Sequence, residues 1–200
     1  MCIRDRYILM RCKRKLWSIG QIIYIFMTSA IYFSLIAAMT IVLNIRNIEY
    51  MNDWGKVLGT LAFSNVPLVK GTAVTISTYI LTYFTPAQAM FFTWLSSVLC
   101  GGILGLIIYG CNVISKSKVV GIAASGFLVI LSAAVSGNEM AQWFSPVSWT
   151  TLNKLDVGKL TQYPTFTYVM VVYMTAIIIL SVWIIKVIEK KDVGVMIREV

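Results

Sequence analysis

Residues 71–115 read GTAVTISTYILTYFTPAQAMFFTWLSSVLCGGILGLIIYGCNVIS, and not one of them carries a charge. A run of about 45 uncharged, mostly apolar residues would rise about 65 Å as one helix, twice the thickness of a bilayer's hydrocarbon core. Pro86 divides it. Proline suits the first turn of a helix and breaks its interior. A span is therefore expected over about 86–114. The preceding GTAVTISTYILTYFT is expected to be interfacial or re-entrant.

Working outward from Pro86, three further runs have the same character. The chain from Leu16 to Ile45 is uncharged, which predicts a span over about 19–44. A run over 119–137 follows the Pro86 span after only Ser115, Lys116, Ser117 and Lys118, so the two are expected to form an antiparallel hairpin. A fourth run, over about 164–186, again opens on a proline and ends in basic residues that can snorkel to headgroups. A charged side chain at the centre of a span costs about 2.5–3.5 kcal/mol on insertion scales, and these runs have none. The expected fold class is all-α, a polytopic membrane helical bundle of about four transmembrane helices, with short outer re-entrant or interfacial helices.

Composition agrees. Of the 200 residues 58% are hydrophobic and 12% charged, and mean hydropathy is +0.81; a soluble domain carries about 25% charged residues. The net charge of +9 would suggest nucleic acid in a soluble protein, but here the basic residues flank apolar runs, as membrane topology requires. No nucleic-acid partner is expected. With Arg11–Lys15 placed in the cytoplasm, Lys and Arg are about 4.5 times denser in the inner connections than in the outer ones. Both visible ends are then cytoplasmic, and the protein is a multi-pass protein of the plasma membrane.

Catalytic readings fail on residue types. The chain has no histidine, which removes Ser-His-Asp and Cys-His nucleophilic systems and His-based metal sites. No phosphate-binding GxxxxGK[ST] loop occurs. Glu49, Asp53, Glu139 and Asp156 fall in outer segments and are expected to be solvated. The four cysteines contain no CxxC pair, and Cys100 and Cys111 stand too far apart on one helix to bridge. No catalytic, cofactor-binding or metal-ligating residue is assigned, and the chain is not expected to be an enzyme.

Two features have a possible role beyond spanning. Gly101 and Gly105, four residues apart, permit close helix approach and are candidate packing positions. The outer segment NEMAQWFSPVSWTTLNKLD (138–156) is long for a turn and dense in aromatic residues. It is expected to form one or two short helices broken at Pro146. Trp143, Phe144, Pro146 and Trp149 are then either an interfacial anchor or an outer gate.

Several stretches in their order resemble permease subunits of type-2 ABC exporters from Gram-positive bacteria: KRKLWSIGQIIYIF (13–26), NDWGKVLGTLA (52–62), TPAQA (85–89), NVISKSKVVGI (112–122), WFSPVSWTTLNKLD (143–156) and IKVIEKKDV (185–193). The resemblance covers most of Lys13 to Val193. It implies six spans, of which the four here would be the last four. It implies a re-entrant outer element at WFSPVSW, a separate subunit that binds the ATP, and a second permease copy or paralogue as partners. Arg11, Lys13, Arg14 and Lys15 would lie at the ATPase side. Under this reading residues 7–193 form one transmembrane domain. Residues 1–6, MCIRDR, resemble translated sequencing-adapter sequence and are set aside. Residues 194–200 are a cytoplasmic tail or an artificial end. A different reading, a polytopic immunity or sensor component without transport, stays open.

Overall fold

The computed structural model describes residues 14–47, 54–56, 59, 78–115, 118–135, 140–156 and 163–190. Among these residues the protein is helical: α1 Arg14–Asn44, closed by a 3-10 turn at Ile45–Asn47; α2 Thr78–Tyr83; α3 Pro86–Ser115; α4 Lys118–Val135; and α5 Phe166–Lys190. Three 3-10 turns, Met140–Phe144, Ser148–Thr150 and Leu152–Lys154, form an element between α4 and α5. A lone parallel bridge pairs Asp156 with Thr165.

By length and composition α1, α3 and α5 can each cross a membrane, and the protein is a helical membrane bundle. The fourth expected span is shorter than the others. α4 has 18 residues, a rise of about 27 Å against a hydrocarbon core of about 30 Å. Residues 136 and 137, assigned to it from the sequence, lie outside the described residues. Other boundaries also moved. Among the described residues α1 already includes Arg14 and Lys15, ahead of the span expected from 19. α5 begins at Phe166, so Pro164 is not in its first turn. The Pro164 carbonyl instead accepts the Asp156 N–H at 3.1 Å, and Thr165 supplies the first carbonyl of the helix, to Val169 N.

The start of α3 has a local cause. Thr85 Oγ1 accepts the Gln88 N–H at 3.4 Å, and Gln88 Oε1 accepts the Thr85 N–H at 3.2 Å. This reciprocal pair satisfies two N–H groups that a helix start leaves open, and Pro86 follows in the first helical position.

α3 is the hub, packed against α1, α4 and α5. It runs parallel to α5: Phe92 meets Phe166, Cys100 and Tyr173 reach one carbonyl, and Gly110 faces Ile184. The offset along the two helices is nearly constant. α1 runs antiparallel to α3, with Ser29 Oγ donating to Val98 O at 3.1 Å and Trp94 Nε1 donating to Ser34 Oγ at 3.1 Å. A Cβ on Gly101 would stand 2.6 Å from Ser29 Oγ; one on Gly102 would enter the Phe26 ring, and one on Gly105 would strike Ile25. The lack of a side chain at these three positions sets the α1–α3 distance. Large apolar side chains such as Ile23, Met27, Leu35, Phe127 and Ile130 stay exposed on α1 and α4, as membrane helices require where they meet lipid.

Candidate functional site

The element from Met140 to Asp156 is inserted between helices rather than laid across their ends. Its Pro146 carbonyl meets side chains of two helices. Tyr173 donates its phenolic proton to that oxygen at 2.6 Å, and Cys100 Sγ approaches it at 3.9 Å. Tyr173 lies seven residues into α5 and Cys100 fourteen into α3, helical rises of about 10 Å and about 21 Å from the two helix starts, so the side chains that reach this carbonyl come from inside both helices rather than from their ends.

Backbone away from regular helices is tolerated at such depth only when protein atoms satisfy it. The element does this with successive tight turns. Ser145 N–H reaches Gln142 O, Ser148 N–H reaches Ser145 O, Thr150 N–H reaches Val147 O, and Lys154 N–H reaches Thr151 O, all within 3.3 Å. Ser148 Oγ donates to Ser145 Oγ at 2.9 Å in a buried pair. The expected short helices are 3-10 turns, Met140–Phe144 before Pro146 and Ser148–Thr150 and Leu152–Lys154 after it. Short segments of this kind commonly close with i→i+3 bonds.

The aromatic residues divide by role. Trp149 is only 3% exposed. Its Nε1–H donates to Gln142 O at 2.7 Å, and its ring lies 5.6 Å from Tyr173 and 6.1 Å from Tyr168. Trp143 is half-buried, 5.0 Å from the Tyr168 ring. Phe144 is 84% exposed. Pro146 and Trp149 are thus structural keys of the element, Trp143 lies on its flank, and Phe144 is its free apolar tip. Leu152 and Leu155 add to the same core with Ala89, Ile103 and Val169. On α3, between the core residues Ala89 and Cys100, Ser96 is wholly buried, and its Oγ has no protein partner.

Asp156 is not solvated, contrary to the expectation from its outer position. It is 6% exposed, because the bridge to Thr165 folds the end of the element back onto the start of α5. Next to this region, Trp54 Nε1 donates to Phe84 O at 2.6 Å, and Phe84, Phe92 and Phe166 stack in sequence at 5.4 and 4.8 Å.

At the opposite end of the bundle, Lys15 Nζ pairs with Glu189 Oε1 at 2.6 Å. Spacing along the chain did not identify this pair, because Glu189 lies beyond the apolar run of α5. Arg14 is the first residue of α1. Arg11 and Lys13 lie outside the described residues. The structure therefore brings Trp143, Pro146 and Trp149 together at one end, places Gly101 and Gly105 in the α1–α3 seam, and leaves Lys15 at the far end joined to α5. Among the described residues no group of His, Cys, Asp and Glu could hold a metal ion. The chain matched no family model, no curated protein and no solved structure.

Proposed function

We propose that the chain is the membrane-spanning permease subunit of an ATP-driven exporter, working with a separate ATP-binding subunit and a second permease half. The observation that carries the reading is the element wedged between α3 and α5 with its Pro146 carbonyl held by Tyr173. A segment that only connected two spans could be far shorter and need not enter the bundle. On this reading the Phe166 end of α5 faces the outside, and Phe144 is the exposed tip of an outer gate. The Lys15–Glu189 end faces the cytoplasm and the ATPase.

The mechanism needs no chemistry from this chain. ATP binding would draw two ATPase subunits together. The basic end of α1 would take up that motion, and its ion pair with α5 would pass it to the α3–α5 pair that holds the gate. Energy enters as the difference in ATP affinity between the inward-open and outward-open states. The spans contribute neutral polar groups and tight glycine seams, which suit sliding surfaces better than bond-making.

Long-read sequencing of the locus from unfragmented DNA tests this. The expected result is a reading frame that extends upstream through two more spans and lies beside a gene for an ATP-binding subunit. A frame that begins at Met1 with no such neighbour would instead support the immunity or sensor reading.

A further inference from the structure

The element between α4 and α5 is inside out for a segment that stands in water. Its polar residues Gln142, Ser145 and Ser148 are buried. Its apolar residues Met140 and Phe144 are 76% and 84% exposed. One exposed apolar residue alone carries little information, but buried polar residues beside it do. Residues 140–150, MAQWFSPVSWT, hold no charge.

The depth of this surface follows from α5. Its residues from Phe166 to Ile185 are uncharged, and the Lys15–Glu189 pair closes the far end. A solvent-accessible ion pair marks a headgroup level, because charge is costly in hydrocarbon. Counted from Glu189, Tyr173 stands about 24 Å along the helix and Tyr168 about 31 Å, against a hydrocarbon core of about 30 Å. Tyr168 is therefore at the opposite interface, a level that Tyr and Trp prefer, and the Trp143 ring lies 5.0 Å from it. Tyr173 is inside the hydrocarbon layer and holds the Pro146 carbonyl. Phe144 follows Trp143 and precedes Pro146 by two residues, so these two levels bracket it. Any tilt of α5 shortens both depths and moves the element further inward.

We propose that the Phe144 ring is a contact site for phospholipid acyl chains, beside the bundle and beneath the Trp143–Tyr168 level. The occupant follows from depth and chemistry. Acyl chains are the solvent at that depth, and residues 140–150 offer no charge that would hold a headgroup. The backbone on both sides of the ring is already satisfied. Gln142 O accepts from Ser145 N–H and from Trp149 Nε1–H, and Pro146 O accepts from Tyr173. That is the condition under which a non-helical segment can stand at membrane depth. The placement requires only that α5 cross a bilayer. It needs neither the exporter reading nor a choice of which end faces outside. A gate carried by this element has its tip against lipid rather than in open water.

Photocrosslinking of the full chain tests the site. Phe144→p-benzoylphenylalanine keeps an aromatic ring at an exposed position, and the protein is reconstituted in vesicles of one synthetic phosphatidylglycerol, irradiated, and read by peptide mass spectrometry. Phe127→p-benzoylphenylalanine is the reference, because Phe127 is an exposed ring in the middle of α4. The expected result is a phospholipid adduct at position 144 in yield comparable to that at 127. After alkaline ester cleavage the peptide should keep the added mass of one fatty acid, which places the new bond on the acyl chain. A bare peptide at 144 beside a labelled one at 127, in protein with an unchanged unfolding midpoint, overturns the proposal. So does an adduct that ester cleavage reduces to glycerol or headgroup mass, which would place the ring at the interface. A crosslinked dimer in place of the lipid adduct overturns it as well, and would make Phe144 a contact with a second copy.

Discussion

Tyr173 of α5 donates a hydrogen bond to the carbonyl of Pro146 at 2.6 Å, and this fastens the element between α4 and α5 to the centre of the bundle. The other contact to that oxygen, from Cys100 Sγ, is long and weak. Tyr173→Phe should therefore leave a buried carbonyl almost unsatisfied at no change in shape. The expected cost is about 1–3 kcal/mol, read as a lowered midpoint of thermal unfolding in detergent. Faster proteolysis within Met140–Asp156 should accompany it, with α3 and α5 still intact.

The two ends of the aromatic set separate anchoring from gating. Trp149→Ala removes a buried ring and its bond to Gln142 O. It should destabilise by about 3–5 kcal/mol, as other large-to-small core changes do. Phe144→Ala removes an exposed ring and should leave the unfolding midpoint nearly unchanged. If Phe144 is the tip of a gate, its replacement should nonetheless change transport or basal ATP hydrolysis in the assembled exporter. Unchanged values for both would make it an interfacial residue.

Gly102 is the tightest of the α1–α3 glycines, since a Cβ there would enter the Phe26 ring. Gly102→Ala should cost about 1–3 kcal/mol through forced displacement, measured by thermal unfolding. Phe26→Leu in the same protein should recover part of that loss. Gly126→Ala is the control, because nothing lies within 4 Å of a Cβ at that position.

Lys15 and Glu189 join α1 to α5, but their side chains are 64% and 36% exposed. A double-mutant cycle with Lys15→Ala and Glu189→Ala should give a coupling of about 1 kcal/mol or less, falling further as salt is raised. A larger, salt-insensitive value would mean that this end is covered by another part of the assembly.

Much of this architecture is legible in the chain itself. Charge-free runs locate α1, α3 and α5, and Pro86 marks the start of α3 because it sits beside a Thr and a Gln that cap it. The density of aromatic residues over Trp143–Trp149 marks the inserted element. What the element touches is not legible, because Tyr173 and Cys100 look like any other residues of an apolar run until the parallel register of α3 and α5 brings them to one carbonyl. Pro164 misleads in the same way: like Pro86 it precedes a span, but a bridge to Asp156 uses its carbonyl and delays the helix by two residues. The Gly101 and Gly105 spacing is visible locally, whereas Gly102 shows its role only once Phe26 is placed opposite. Lys15 and Glu189 are 174 residues apart in sequence, and only the antiparallel pairing of α1 with α5 joins them.

The most direct measurement is of ATP hydrolysis by the complete subunit, with the reading frame taken from the locus, co-reconstituted in nanodiscs with the neighbouring ATP-binding subunit. A permease subunit should co-purify with that ATPase, change its vanadate-sensitive rate, and lose part of the coupling when Lys13, Arg14 and Lys15 are replaced by alanine. An ATPase that neither binds the chain nor changes its rate in the chain's presence would contradict the exporter reading.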